Sequence, residues 1–444
     1  MLLATVLFIP GLLFGPPHDA DLFVLIGERL TVGEIPYRDL WDNKPPAIYL
    51  IMAGAALLPG PTWPVVWGLS VCVTATAGMV FARLASPFIA IIAVAIAALL
   101  PVSSGGGMTE TFALLPAALA FWFAKEQRAG VWVGLLTAAA VLISPQFVPL
   151  LVAVAVLSPR QIPKLAIGFG AGCLAALTLV IAWGALPQAW DAIVTYNSAY
   201  RSLPSEWVHL PFTLLALAPL AAYARFERNR VVTAGLLWIG LGAAFVAIQG
   251  HVYPHYAIAF VLPLVALAAR PSIARSIAAI TTLTVLFYVG AISTNWNPNR
   301  QLGPISADVG RWVSEHSAPG QRILVWGSAA AIYSISDRPP AGRYPFSWPL
   351  STPGYSTREQ VGGWLAGLQA DPPAVVVDFQ AAASETDRLL PPSRPGLTFD
   401  RSVDLLDPVR LWVSQRYRFT TERHGVRLYL PCLDDRGQPT ACSR

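Results

Sequence analysis

Charge is scarce in this sequence. Asp, Glu, Lys and Arg make up 12% of its 444 residues, while 55% are hydrophobic. An ordinary soluble domain carries about twice that share of charge, so the composition excludes one and points to a membrane protein. Basic runs are missing too, and a net charge of +5 spread over small clusters gives no nucleic-acid surface. With four Cys, a disulfide-built scaffold is excluded. Cys72 and Cys173 lie in apolar stretches and read as packing residues. Cys432 and Cys442, in "PCLDDRGQPTACS", either close a small loop in an oxidising compartment or remain a thiol pair. The opening "MLLATVLFIPGLLFG" lacks a basic n-region and a small-residue cleavage site, which argues against a cleaved signal peptide. At ~1.5 Å per residue it spans about 22 Å, short for a ~30 Å hydrocarbon core.

Apolar segments follow at roughly 47–60, 63–82, 87–101, 111–124, 131–143, 147–158, 165–186, 211–224, 231–249, 256–269 and 276–293. The last ten alternate with a charge code. Arg83, then Lys125 and Arg128, Arg160 and Lys164, "RFERNR" at 225–230, and Arg270 with Arg275 fall in every second connection. The connections between them, 102–110, 144–146, 187–210 and 250–255, hold one cation, Arg201. By the positive-inside rule the first set is cytoplasmic and the second outside. Segment 47–60 then either spans or lies in the interface. It is short and is followed by the turn "PGPTWP", so the interfacial reading is preferred. Helix 20–32 shows Leu22, Leu25, Ile26 and Leu30 at the spacing of an amphipathic helix on the membrane surface. The expectation is a polytopic α-helical membrane protein of the plasma (inner) membrane with about eleven spans plus interfacial helices. Residues 1–294 form its transmembrane part, with an outer loop at 16–62 and the C-terminus also outside. None of the ten later spans holds Asp, Glu, Lys, Arg or His. Ion-coupled transport places such groups at mid-membrane, so chemistry is expected at one face.

Residues 295–444 change character. "RILVWG" and "AVVVDF" read as buried strands and "VRLYLP" as a third, alternating with helices at "ISADVGRWVSEHS", "AAAIYSIS" and "TREQVGGWLAGLQA". The pattern predicts an extracytoplasmic α/β domain of parallel character. After "VWGSAA" no dinucleotide fingerprint follows.

The ionisable groups gather early, in "PPHDADLFVLIGERLTVGEIPYRDLWDNKPP", residues 16–46. Asp19 is either a helix N-cap or a carboxylate at the water–lipid boundary acting as general base, and Asp21 suits a helix dipole. Pro45 and Pro46 hold Lys44 extended, and Tyr37 and Trp41 read as interface anchors. Arg38 and Lys44 either clamp a phosphate or snorkel to the interface. Asp39 and Asp42 are solvated, paired with those cations, or, for Asp42, in contact with substrate. Glu110, at the head of a span, is a helix-dipole acid, an acceptor ligand, or a ligand for a divalent cation near Asp19. Arg201 adds a phosphate contact. His251 and His255 are separated by a Pro254 break that disfavours zinc, so His255 and Tyr256 read as polar lining of the outer cavity. No metal site and no firm cofactor is assigned.

"GEIPYRDLWDNKPP" at 33–46, with an acidic pair about fourteen residues before Gly33, resembles the first outer loop of GT-C glycosyltransferases. The likeness is to bacterial members of the protein-mannosyltransferase-like group that use polyprenyl-phosphate sugars. "TETFALLPAALAF" (109–121), "LISPQFVPLL" (142–151) and "ILVWGSAAAIYSISDRPPAGRY" (323–344) resemble later segments, so the likeness covers most of the chain. It implies a transferase moving sugar to a glycan, lipid or protein acceptor with inversion at the anomeric carbon. Asp19 falls at the position of the catalytic base and Lys44 at the donor-phosphate contact. Many members have Asp-Glu where this chain has Asp19-Ala20, with Asp21 next, so both aspartates stay candidates. The chemistry suits these residue types independently. A lipid phosphate is already a good leaving group, so a base and a cation suffice. The competing class is a lipid or sugar transporter or flippase of the cell envelope.

Overall fold

The computed structural model describes residues 1–99, 105–200, 229–249, 254–268, 299–379, 389, 405–435 and 440–442. Segments 211–224 and 276–293, and the residues Arg201 and His251, lie outside the described residues. The chain divides into two compact units. One holds Met1–Ala20, Lys44–Gly184 and Arg201–Asn299, and the other Asp21–Asn43, Ala185–Tyr200 and Arg300–Arg444.

The first unit is helical. Its elements are α1 (Leu2–Phe14), the first residues of α2 (His18–Thr31), α3 (Ala47–Ala56), α4 (Thr62–Leu84), α5 (Pro87–Leu99), α6 (Thr109–Lys125), α7 (Gly130–Ile143), α8 (Leu150–Leu157) and α9 (Ile162–Ala182). The series continues with α10 (Arg230–Gln249) and, after a 3-10 turn at Pro254–Phe260, α11 (Val261–Ala268). Among the described residues, two helices are long and apolar enough to cross a membrane, Thr62–Leu84 and Pro159–Ala182. A third joins them if the bent pair Leu2–Phe14 and Asp19–Thr31 counts as one span. At ten residues, α3 extends about 15 Å, half of a ~30 Å core.

Apolar helices in lipid gain no hydrophobic drive toward one another and rely on close contact at small residues. The pairing of α7 with α9 shows this: a Cβ on Gly134 would strike the Leu165 carbonyl, and one on Gly168 the Val131 carbonyl. Helix α1 is fastened to α4 by indoles. Trp63 Nε1 donates to the Gly11 carbonyl at 2.8 Å and Trp67 Nε1 to that of Phe8 at 2.7 Å. It stops before Gly15, at φ +87°, and Pro16-Pro17.

The second unit is a small mixed α/β assembly. It contains most of α2, a helical segment beginning at Leu186–Trp190 and running through a π-turn at Asp191–Tyr196 to Tyr200, α12 (Asn299–Glu315), β1 (Ile323–Trp326), α13 (Ala331–Ser336), α14 (Arg358–Ala370), β2 (Val375–Asp378), α15 (Asp407–Arg416), β3 (Tyr417–Arg423) and β4 (Val426–Pro431). Every residue of β1 and β2 is buried, as continuous apolar runs require in strands covered on both faces. Thr357 and Gln360 form a capping box at the head of α14. Sheet order is β1-β2-β4-β3. The expected parallel character holds for β1 with β2 only; β4 runs antiparallel to β2 and to β3. The reason is a hairpin the sequence reading passed over. His424 and Gly425 both take positive φ, 52° and 80°, as a tight two-residue turn demands. The charged "YRFTTER" strand then sits at the sheet edge, where charge discourages edge-to-edge association. Cys432 and Cys442 are disulfide-bonded, and their N–H groups reach the Arg416 and Gln415 carbonyls. Of the other two, Cys72 is exposed and Cys173 half-buried.

The structure corrects two expectations about the opening loop. Helix α2 is not a surface helix with one apolar face, since Asp21 through Gly27 are all buried. Phe23 and Val24, off the periodic face, are enclosed as fully as Leu25 and Ile26. Nor are Tyr37 and Trp41 interface anchors: both are at most 1% exposed, inside the protein rather than at a lipid boundary.

Candidate functional site

Within the second unit, residues 21–43 are built into a polar and aromatic framework. Asp21 Oδ2 accepts the backbone N–H of Ala331 at 3.0 Å, the first residue of α13, where a carboxylate satisfies an otherwise unpaired donor and complements the dipole. Glu28 accepts from Ser334 Oγ on the same helix at 2.6 Å. Glu34 takes Arg29 at 2.8 Å and Arg322 at 3.2 Å.

Arg38 is exposed and forms a two-pronged pair with Asp39, at 2.9 and 2.7 Å. Burial pushes the Asp39 carboxyl up, but the Arg38 bond and the Ile35 N–H outweigh it and hold the carboxyl below the usual range. Tyr37 adopts φ +68°, a strained state for a bulky residue. Its N–H reaches the Leu40 carbonyl at 2.7 Å, and its own carbonyl takes Arg343 Nε at 2.7 Å. Asp42 is buried and accepts the Asn43 N–H at 2.8 Å, and Asn43 Nδ2 donates to Asn197 Oδ1 at 2.9 Å.

Sequence reasoning missed the partners that lock this loop. Trp41 Nε1 donates to Tyr355 Oη at 3.0 Å, and Tyr355 donates to Asp191 Oδ2 at 2.6 Å. Arg343 lies 3.5 Å from the same carboxylate. Tyr196, Tyr344, Phe346 and Tyr355 surround the Trp41 ring with centroids 4.7 to 6.2 Å away. Burial, with the bond to Asp191 second, raises the Tyr355 phenol so that it stays a donor. No short-range sequence signal links residues 41, 191 and 355; only an unusual density of Tyr and Trp hints at it.

The first unit holds Asp19, Lys44, Glu110, His255 and Tyr256. Asp19 is half-buried in the first turn of α2. Its neighbour Ala20 is fully buried, and a Cβ on Gly107 would come 2.7 Å from the Ala20 methyl. Gly106 and Gly107 have φ +78° and +80°, open to glycine at no steric cost, and the Gly107 N–H reaches Ser70 Oγ at 2.9 Å. Three residues on comes Glu110, in the first turn of α6 and 2% exposed. Ser144 Oγ donates to Glu110 Oε1 at 3.0 Å, while Oε2 has no partner among the described residues. Gln146 Nε2 donates to Gln249 Oε1 at 2.8 Å. The 3-10 turn at 254–260 packs on α6 and on the 145–147 turn. It carries buried His255, whose ring meets that of Tyr256 edge-on at 4.7 Å. Lys44 is half-buried, and its carbonyl accepts from Tyr49 Oη at 3.2 Å. Among the described residues no group of three or more His, Cys, Asp or Glu is placed to hold a metal ion.

Side chains of the 102–110 and 144–146 connections thus meet at Glu110–Ser144. The chain superposes on ArnT from Cupriavidus metallidurans in its apo state with a TM-score of 0.56, over 94% of this chain and 93% of that one, at 12% identity. The fold is that of ArnT. The oligosaccharyltransferase AglB from Archaeoglobus fulgidus, in complex with an inhibitory peptide and a dolichol-phosphate, also matches (TM-score 0.43, 12% identity, 94% of this chain and 71% of that one). No protein-family profile matches the chain, and no curated protein matches it in sequence. In this fold the first helix ends at Phe14, and Asp19 lies in the first turn of the next.

Proposed function

We propose that the chain is a membrane-embedded glycosyltransferase that moves a sugar from a polyprenyl-phosphate donor to an acceptor hydroxyl at the outer face of the plasma membrane. Asp19 takes the hydroxyl proton as the acceptor oxygen attacks the anomeric carbon. The bond from that carbon to the phosphate oxygen breaks with inversion, and Lys44 holds the charge on the departing lipid phosphate. One observation carries this reading: Asp19 lies in a GT-C fold beside the Ala20–Gly107 contact that leads to buried Glu110.

Asp21, engaged with the Ala331 N–H, supports the framework, which favours Asp19 as base. Arg38, paired with Asp39, and Arg201 stand behind Lys44 as phosphate contacts. Glu110, Asp42, His255 and Tyr256 are the candidates for binding the acceptor or another part of the substrate. The topology that goes with this has about eleven spans, residues 1–294 in the membrane part, and the 16–62 loop and residues 295–444 outside. The acceptor is a glycan, lipid or protein.

Incubating the purified chain with a radiolabelled polyprenyl-phosphate hexose and a membrane-extract acceptor tests this reading. Transfer releases free polyprenyl phosphate in step with labelled product. Movement of intact donor across a vesicle with no such release would make the protein a flippase instead.

A further inference from the structure

Glu110, Ser144, Gln146 and Gln249 come from the ends of four different elements, yet their side chains are linked in pairs. Ser144 donates its hydroxyl to Glu110 at 3.0 Å, and two residues along Gln146 donates its amide to Gln249 at 2.8 Å. Ser144 and Gln146 are at most about 7 Å apart along the chain, and the 145–147 turn packs on α6, which carries Glu110, so the two pairs are neighbours. Glu110 and Gln146 are 2% and 6% exposed, and each presents an oxygen with no partner among the described residues: Glu110 Oε2 and Gln146 Oε1. Thr111 Oγ1, next along α6, is likewise buried and unpartnered. Buried polar atoms are almost always hydrogen-bonded, and an ionised carboxylate is the costliest to leave unpaired.

Of the buried unpartnered atoms, Glu110 Oε2 and Gln146 Oε1 are acceptors and Thr111 Oγ1 is both acceptor and donor. Ser144 has already directed its hydroxyl to Glu110, and Gln146 one amide hydrogen to Gln249. The site therefore suits a ligand rich in hydrogen-bond donors that carries no negative charge. We infer that the Glu110–Ser144–Gln146–Gln249 cluster is a subsite for the hydroxyls of a neutral sugar ring, and that it discriminates against uronic and phosphorylated sugars. This rests on the reading of the chain as a sugar transferase and narrows its substrate class.

The test uses the full chain in detergent and three probes: bare polyprenyl phosphate, its neutral hexose conjugate and its hexuronate conjugate. The neutral conjugate should bind at least tenfold tighter than the bare lipid phosphate, and the hexuronate no tighter than it. Gln146→Leu and Glu110→Gln, each checked for an unchanged thermal midpoint, should cut that margin below threefold while bare lipid phosphate binds as before. If the sugar recognised is the acceptor's, the same loss appears instead in binding of a methyl hexoside to protein saturated with polyprenyl phosphate. Equal binding of hexuronate and hexose overturns the subsite. So does a hexose preference that survives in both folded variants in the donor and the methyl hexoside assays alike, or one that vanishes on chelation of divalent cations. A cluster filled only by water shows no margin with either sugar probe, which also overturns it while leaving the transferase reading in place. Failure of all three lipids to bind the wild type would sink the transferase reading itself.

Discussion

The opening loop of the second unit and Glu110 in the first set their carboxylates in different surroundings. In the second, carboxylates are tied: Asp21 to a helix N–H, Asp39 to Arg38, Glu34 to Arg29 and Arg322, and Asp191 to Tyr355 and Arg343. In the first, Glu110 is buried with one oxygen unpartnered among the described residues. Paired carboxylates stabilise and position; a buried carboxylate with an open oxygen is what the proposed sugar subsite is built on. The opening loop contributes to both units, with Asp19 and Lys44 in one and Asp21 through Asn43 in the other. Most of the charge that makes this stretch conspicuous is therefore framework.

That contrast is sharpest at the two neighbouring aspartates. Asp19→Asn should lower sugar transfer at least 100-fold, the scale of a lost general base, with folded protein retained. Asp21→Asn keeps an oxygen for the Ala331 N–H and should stay within about threefold of wild type, since a neutral cap substitutes well. Reversed outcomes would exchange the roles of the two residues.

A smaller effect separates the two cations. Lys44→Ala should weaken donor use about tenfold, the worth of one charge-assisted hydrogen bond. Arg38→Ala should change it less than about threefold, because that guanidinium is already matched by Asp39. Comparing KM for the donor in the two variants decides it.

Tyr355→Phe probes the second unit alone. It strips the Trp41 indole and the Asp191 carboxylate of a partner, at a cost of about 1–3 kcal/mol. A thermal-midpoint drop of several degrees with near-normal turnover is expected. Unchanged stability would mean the aromatic cluster holds the loop without that hydroxyl.

The smallest effect is on pH dependence. Asp39 has a lowered carboxyl in the fold. Its contribution is present above the unfolded carboxylate range near ~4 and is lost as pH falls through the lower folded value. Arg38→Ala should flatten the decline in thermal midpoint between about pH 5 and pH 3; an unaltered slope would show that Ile35 alone holds the carboxylate.

Much of the helical unit was legible. Its described helices lie where apolar runs do, while the meeting of Glu110 with Ser144 was not visible from the runs themselves. Helix α2 was legible as a helix but not in its setting. Periodicity at Leu22, Leu25 and Ile26 reports one apolar face and cannot tell lipid from protein on the other. Strand β3 escaped notice because an edge strand alternates with charge and resembles a loop. Asp191, Arg343 and Tyr355 escaped because their value lies in meeting Trp41 and Tyr37 across more than a hundred residues of chain.

Local order along the chain thus determined the described helices, the buried strands β1 and β2 and the concentration of ionisable groups at one end. These follow from hydropathy, periodicity and backbone restriction, which act over a few residues. The tertiary structure alone decided which carboxylates are paired and which keep an open oxygen. Pairing depends on what distant segments bring within 3 Å, and no spacing along the chain encodes that distance.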